Sequence, residues 1–423
     1  MRRRAFLQAC GALAVSSGAG AAARRATAAT AKARVVVIGG GYGGATAAKY
    51  LRLWAPEIEV TLIEREAQFV SCPTSNLVLG GFRALEDISR GYEGLARRGV
   101  RVVRDEALAV DPERRAVRLA RGGELAYDRL IVSPGIDFLF DELPAYRRAM
   151  ESGHVLHAWK AGPQTAALRK QLEQMRDGGV AAISIPLAPY RCPPGPYERA
   201  CMIAAYFQQA KPRSKVLVLD ANPDVTSKGP LFKRAWRDLY PGLVEYRPNS
   251  RAIDVDAEAN TIRLEVEDAS ADVLNVIPPQ RAADLCARAG LVTHNNRWCN
   301  VDWRTAESTA VKNVHVLGDA TLSAPAMPKS GSMANNIAKL CAAAVIARLE
   351  ERAPDSEPRV VNTCYSYVSR TEAIHVASVH EWSEAEKTLV PVHGAGGVSA
   401  ERSEREAVYG WAWAQSVWAD MLS

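Results

Sequence analysis

The segment ARVVVIGGGYGGATAAKYLRLWAPEIEVTLIERE, residues 33–66, leaves the chain few alternatives. Val35 to Ile38 is an apolar run of strand length, and Gly39-x-Gly41-x-x-Gly44 follows as a turn. Ala45 to Leu53 reads as a helix, Val60 to Ile63 as a second strand, and Glu64 closes the unit. Each part has a physical task. Gly39 makes the tight turn, Gly41 lets a pyrophosphate approach the backbone, and Gly44 permits close helix–strand packing. The helix N-terminus then faces the phosphates, and Glu64 can accept from a ribose hydroxyl. A lone glycine pattern is weak, but the complete strand–turn–helix–strand–Glu unit predicts a parallel α/β sheet that binds a dinucleotide.

Two distant segments decide which dinucleotide. YDRLIVSPGID (127–137) reads as a strand ending in Pro134-Gly135, like the second signature of flavoproteins with two dinucleotide folds. NVHVLGDATLSAPAMPKSGSMANNIAK (313–339) reads as a strand ending in Gly318-Asp319, followed by a helix. In that class the aspartate contacts the ribityl chain, and the helix start faces the flavin edge that becomes negative on reduction. Three segments in the right order predict FAD. Gly135, Asp319 and Lys329 join Gly39, Gly41, Gly44 and Glu64 as cofactor-binding residues.

A second strand–loop–helix frame follows, with Val180 to Ile185 as strand, a helix from about Tyr197, and Val216–Asp220 as the next strand. Its loop, PYRCPPGPYERA (189–200), carries prolines where a nucleotide loop carries glycines. Prolines fix φ and remove backbone donors, so no nest of amides can form around a pyrophosphate. A second dinucleotide is not expected. Cys192 stands in this loop at a helix start, where the dipole favours a thiolate.

Compartment and charge bear on what such a cysteine does. MRRRAFLQACGALAVSSGAGAAARRATAATA (1–31) reads as a twin-arginine export signal, with Ala29-Thr30-Ala31 as cleavage site. Its five arginines account for most of the formal net charge of +6, leaving the remainder near +1. Nucleic-acid binding therefore loses its electrostatic support, and no later segment is apolar enough to span a membrane. Without Cys10 there remain Cys72, Cys192, Cys201, Cys286, Cys299, Cys341 and Cys364. None forms CxxC or CxxCH, so neither a zinc site nor covalent haem is supported. Cys201, Cys286, Cys299 and Cys341 read as buried small hydrophobes. His154 and His157 read as interdomain polar contacts, and Trp411, Trp413 and Trp418 as an aromatic core layer ahead of the competing reading, part of a docking face.

Taken together, the mature sequence resembles the flavoprotein subunit of flavocytochrome c sulfide dehydrogenase, a relative of sulfide:quinone oxidoreductase and glutathione reductase. The resemblance rests on GGATAAKYL, HAWKAGPQTAALRKQLE, RCPPGPYERA, IPPQRA, GDA, MPKSG and NTCYS, in that order. It implies that Cys72 carries the flavin through a thioether and that Cys192 and Cys364 form a redox-active disulfide. It also implies that Glu198 is a proton acceptor beside that pair. Pro73-Thr74 departs from the bulkier pair usual after the flavin-linking cysteine.

The implied reaction is oxidation of hydrogen sulfide. Sulfide attacks one sulfur of the disulfide, giving a persulfide and a thiolate. Two electrons pass to FAD and leave singly to a c-type cytochrome subunit. The implied architecture is α/β, with two Rossmann-like domains of glutathione-reductase type and a C-terminal α+β interface domain. The FAD domain comprises residues 32–145 and 287–356, the nucleotide-free second domain 146–286, and the C-terminal domain 357–423. Three rivals stand beside this reading. A sulfide:quinone oxidoreductase needs a membrane-seating C-terminus, and an NAD(P)H-dependent disulfide reductase needs the missing second glycine loop. A flavoprotein accessory of a sulfur-oxidising complex would keep the cofactor and the cysteines without turnover.

Overall fold

The structure, a computed structural model, describes residues 33–423, so the segment read as an export signal and Cys10 lie outside the described residues. The apolar run that opens the chain becomes β1 (Arg34–Ile38), in which Val35 to Ile38 are at most 5% exposed. Burying side chains of that size contributes about 1.5–3 kcal/mol each. α1 (Tyr42–Trp54) and β2 (Glu59–Glu64) complete the unit. The helix starts inside the glycine run, ahead of the predicted Ala45. Gly43 and Gly44 both pack there with no room for a side chain, a Cβ at Gly43 falling 2.7 Å from Ser133 Oγ.

After the short helix α2 (Ser75–Leu79), β3 (Arg101–Arg104) and β4 (Arg129–Val132) join the same sheet. Val37 lies opposite Leu62 on one side and Ile131 on the other, both pairings parallel. The chain then builds a second parallel sheet. Its parts are β5 (Val155–Leu156), β6 (Val180–Ile185), α3 (Gly195–Ala210), β7 (Lys215–Asp220), α4 (Gly229–Leu239), β8 (Val244–Arg247) and β9 (Val273–Val276). The strand order is β5-β9-β6-β7-β8.

The chain returns to the first sheet through β10 (Val301–Asp302), β11 (Glu307–Ser308) and β12 (Val314–Val316), giving the order β10-β11-β12-β4-β1-β2-β3. α5 (Gly331–Leu349) follows, capped by Ser330, whose hydroxyl accepts from Met333 N. Three antiparallel strands, β13 (Arg359–Tyr367), β14 (Ala373–Ser383) and β15 (Thr388–Val398), and α6 (Glu404–Leu422) end the chain.

The last helix is tied to the first fold. Lys49 Nζ donates to Ala419 O at 3.0 Å, and Asn335 Nδ2 to Asp420 Oδ2 at 2.8 Å. Ser330 Oγ donates to Asn362 Oδ1 (2.6 Å), and Thr363 N to Ser332 Oγ (3.1 Å). Those bonds fix β13, and with it Cys364, against the start of α5. No helix among the described residues is long and apolar enough to cross a membrane.

Candidate functional site

A cavity of about 930 Å³ opens at the carboxyl ends of β1, β2 and β4, where ligands of open α/β sheets bind. Its wall includes Gly39, Gly41, Glu64, Cys72, Gly135, Cys192, Glu198, Asp319, Lys329 and Cys364. Gly44 alone among the sequence-predicted residues stays behind the wall. A Cβ there would fall 1.9 Å from Gly39 O, so its contribution is the close helix–turn contact.

The cavity suits a dinucleotide. Gly39 holds φ +94°, and a Cβ on it would meet Ser133 O at 2.2 Å. A Cβ at Gly41 would meet nothing within 4 Å, so its backbone is open to an approaching phosphate at the head of α1. Glu64 Oε2 accepts from Gly40 N (2.6 Å) and Oε1 from Glu66 N (2.8 Å), leaving each oxygen a lone pair. Thr74 Oγ1 is buried in the same wall without a protein partner, a polar group that a ligand would satisfy.

Lys329 ties two parts of the site together. Its ammonium donates to the carbonyls of Asp319 and Thr321 and lies 3.9 Å from the Trp298 ring centre, so its charge is spent on the Gly318–Thr321 turn. Burial pulls that ammonium down to about 8. Its own carbonyl accepts from Cys192 N at 2.8 Å.

Cys192 is itself strained. It is a non-glycine residue at φ +54°, a conformation that costs about 1–3 kcal/mol and clusters at functional sites. Gly195 N donates back to its carbonyl at 2.8 Å. A Cβ at Gly195 would lie 2.9 Å from Cys192 Sγ, so the sulfur reaches its place only over a glycine.

All seven cysteines of the described residues are free thiols, and Cys192 and Cys364 both face the cavity. The expected helix-start thiolate at Cys192 is corrected. α3 begins at Gly195, nearer to Cys192 than the expected Tyr197, but burial, with Cys364 and Glu198 nearby, pushes the Cys192 thiol well above its usual range. Burial raises Cys364 too, but Lys228 draws it back.

Glu198 is buried and firmly held, accepting from Tyr367 N (2.8 Å) and Asn76 Nδ2 (2.9 Å). Burial raises its carboxyl and those two donors oppose the rise. Asn76 Oδ1 accepts in turn from Arg199 Nε (3.1 Å), and Arg199 donates to His157 O and Asn275 Oδ1 at 2.8 Å each. Cys72 Sγ accepts from Arg191 Nη2 at 3.0 Å and from Ala161 N at 3.4 Å. The other Arg191 nitrogen lies 3.7 Å from Asp319. Burial works against the Arg191 charge, but Cys72 and Asp319 more than offset it and raise the guanidinium.

The second frame has no open nucleotide site. Asp220, at the end of β7 where a ribose-binding carboxylate would stand, is fully buried. It accepts from Tyr197 OH (2.7 Å), Tyr246 OH (3.0 Å) and Asn222 N (2.9 Å). Tyr190, from the proline loop, adds to the seal through Thr226 Oγ1 at 2.8 Å.

Several side-chain readings change. Cys201, Cys286, Cys299 and Cys341 are buried as expected. His154, expected at an interdomain contact, is exposed and bonds Ser152 of its own turn (2.9 Å). His157 is buried in the cavity wall, with Nδ1 accepting from Trp159 N (2.9 Å). Trp418 is core, but Trp413 reaches the cavity rim and Trp411 is half-buried under Arg83. Arg191, Arg199, Asn76 and Lys228 went unread. Arg191 adjoins the cysteine and could have been found; nothing in the sequence around Lys228 points to it.

Fold and site together define a flavoprotein oxidoreductase of two dinucleotide folds, the second closed to nucleotide and fronted by a thiol pair. Comparison with known proteins narrows the class. The family model "Sulfide dehydrogenase (flavocytochrome c) flavoprotein chain, central" matches residues 165–278, and "Flavocytochrome c sulphide dehydrogenase, flavin-binding" matches 356–422. "Pyridine nucleotide-disulphide oxidoreductase" matches 33–159. The sulfide dehydrogenase (flavocytochrome c) flavoprotein chain of Chlorobaculum thiosulfatiphilum is 62% identical over 44 residues, covering 10% of this chain and 92% of that one. The mitochondrial sulfide:quinone oxidoreductase of Dictyostelium discoideum is 22% identical over 303 residues, 68% of this chain. The match spans only 65% of that relative's length. The solved sulfide:quinone oxidoreductase of Aquifex aeolicus superposes with a TM-score of 0.74 at 19% identity, over 92% of this chain and 91% of that one. The chain belongs to the family of sulfide-oxidising flavoproteins that contains the sulfide dehydrogenase flavoprotein chains and their sulfide:quinone oxidoreductase relatives, and its cofactor is FAD.

Proposed function

We propose that this chain is the flavoprotein half of a periplasmic sulfide dehydrogenase, oxidising hydrogen sulfide to sulfur or polysulfide and passing electrons to a separate c-type cytochrome. The observation that carries the reading is the placement of Cys192 and Cys364 in the cofactor cavity, with the neighbouring nucleotide frame closed. A donor that meets thiols directly has to be small, and sulfide is the small nucleophile suited to a disulfide.

In the working cycle Cys192 and Cys364 form a disulfide, and sulfide opens it to a persulfide and a thiolate. Glu198, buried beside the pair and raised by that burial, takes the proton that sulfide brings. A second sulfide or thiol takes the outer sulfur and leaves Cys192 as a thiol, and the two electrons released when Cys192 and Cys364 re-form their disulfide would go to bound FAD. Bound FAD supplies a two-electron acceptor that can be emptied one electron at a time. Cys72, with the Arg191 guanidinium on its sulfur, is the residue that would hold FAD covalently. The twin-arginine leader supports export of the folded, loaded protein.

Anaerobic titration of the purified protein with sulfide, following flavin absorbance, tests the reading. Bleaching at near-stoichiometric sulfide and recovery with oxidised cytochrome c are expected. Recovery only with a quinone would move the protein to the quinone-reducing branch. No bleaching by sulfide, while dithionite still reduces the flavin, would sink the proposal and favour an accessory role.

A further inference from the structure

Lys228 is a buried ammonium in the thiol pocket whose hydrogen-bond acceptors are both neutral. It heads α4 at φ +57°, and its side chain is buried. Its ammonium donates to the Cys364 carbonyl (3.1 Å) and to Ser366 Oγ (2.8 Å), both on β13, and the Phe232 ring lies 6.0 Å away. Among the described residues no carboxylate lies within 4.0 Å of it.

The other charges around it are engaged. From α3, Glu198 is held by Tyr367 N and Asn76, and Arg199 is tied to the same Asn76. From α6, Glu406 pairs with His375 at 3.1 Å. From the proline loop, Arg191 faces Asp319. An unpaired buried ammonium is unfavourable until a neighbour becomes an anion. The neighbour that Lys228 grips through its own backbone is Cys364. Ionised Cys364 is the largest support for the Lys228 charge, ahead of Glu198 and Cys192, whereas at Cys192 burial, Cys364 and Glu198 come first and Lys228 and Arg191 only oppose them.

We propose that Lys228 is a positioning residue that makes Cys364 the anionic sulfur of the pair, so that hydrosulfide attacks Cys192 and Cys364 departs as the thiolate. The inference rests on the sulfide-oxidation reading above and settles the direction of its first step. In that step the Cys192–Cys364 S–S bond breaks as a new S–S bond forms between sulfide and Cys192. The sulfide sulfur is oxidised, the Cys364 sulfur is reduced, and the negative charge moves from hydrosulfide to Cys364. No outside oxidant is needed. The thiol of lower pKa is the better leaving group, so a charge beside Cys364 sets which sulfur is attacked.

The experiment uses the full, flavin-loaded protein reduced with a phosphine. Iodoacetamide alkylation of each cysteine is followed against pH by peptide mass spectrometry, which reads the thiols whether or not sulfide is a substrate. Cys364 is expected to ionise at lower pH than Cys192. K228Q is expected to move the Cys364 midpoint up by about 1–2 pH units, while K228R restores it. Cys192 ionising first in the unmodified chain, or a Cys364 profile unmoved in K228Q, would overturn the proposal. In a second arm the oxidised protein receives one equivalent of sulfide and is alkylated without reduction. An extra sulfur on the Cys192 peptide supports the proposal, and on the Cys364 peptide refutes it. Extra sulfur on neither refutes the sulfide reading itself, while the alkylation order still decides the role of Lys228.

Discussion

Acid should loosen this protein through one histidine in the cofactor wall. Burial depresses His157 from 6.5 to about 3, with Lys160, Arg199 and Arg191 adding repulsion. Its Nδ1 accepts from Trp159 N, and its ring lies 4.4 Å from Phe138, so protonation would break a hydrogen bond as well as bury a cation. The folded pKa is below the unfolded one. The stabilising contribution is therefore complete above pH 6.5 and is lost as pH falls through the folded value near 3. At about 1.4 kcal/mol per unit, that window holds roughly 5 kcal/mol, of which about 2 kcal/mol is gone by pH 5. Against a typical stability of about 5–15 kcal/mol this is large. Urea unfolding of the flavin-loaded protein at pH 7 and pH 5 measures it, with H157Q as comparison. His315, also buried and depressed to about 4, is common to both chains and cancels. The H157Q chain is expected to lose about 2 kcal/mol less over that interval. Equal losses in the two chains would refute the argument.

E198Q should keep flavin binding but slow sulfide-driven bleaching by about 10²–10⁴-fold, read by stopped-flow absorbance. C72S should still bind FAD, yet release all of it on acid precipitation, whereas the unmodified chain keeps its flavin on the pellet. Because a Cβ at Gly44 would stand 1.9 Å from Gly39 O, G44A should cost about 1–3 kcal/mol and lower flavin content, measured by thermal melting and the ratio of flavin to protein absorbance.

How much of this was legible in the sequence depends on what each residue needs. Gly39, Gly41 and Gly44 could be read because their tasks are local: a positive φ, an open face, a close contact. The proline loop was legible for the same reason, since each proline removes a donor wherever it sits. One boundary moved where packing intervened, at Tyr42, where glycines that look like a loop sit inside a helix. The polar lattice was not legible. Asn76, Arg199 and Asn275 are far apart in sequence, and their bonds exist only once two sheets and α2 meet. His154 and Trp413 were misread for a related cause, because a polar or aromatic residue near a helix end carries no sign of which neighbour it will meet.

The closure of the second nucleotide site and the rise of the thiol site come from the same loop. Tyr197 turns inward on Asp220, with Tyr190 beside it on Thr226, and removes the carboxylate that a nucleotide ribose would need. Cys192, between them in sequence, is turned the other way, toward the flavin cavity, by its left-handed backbone and the Lys329 carbonyl. A glycine-rich loop could do neither, because it lacks the side chains to plug the old site. Lys329 adds the link to the cofactor, since the residue that accepts from Cys192 N also braces the Asp319 turn. A change at either end of that brace should therefore move both flavin and cysteine, which makes the loop and the Asp319 turn one mechanical unit rather than two neighbouring motifs.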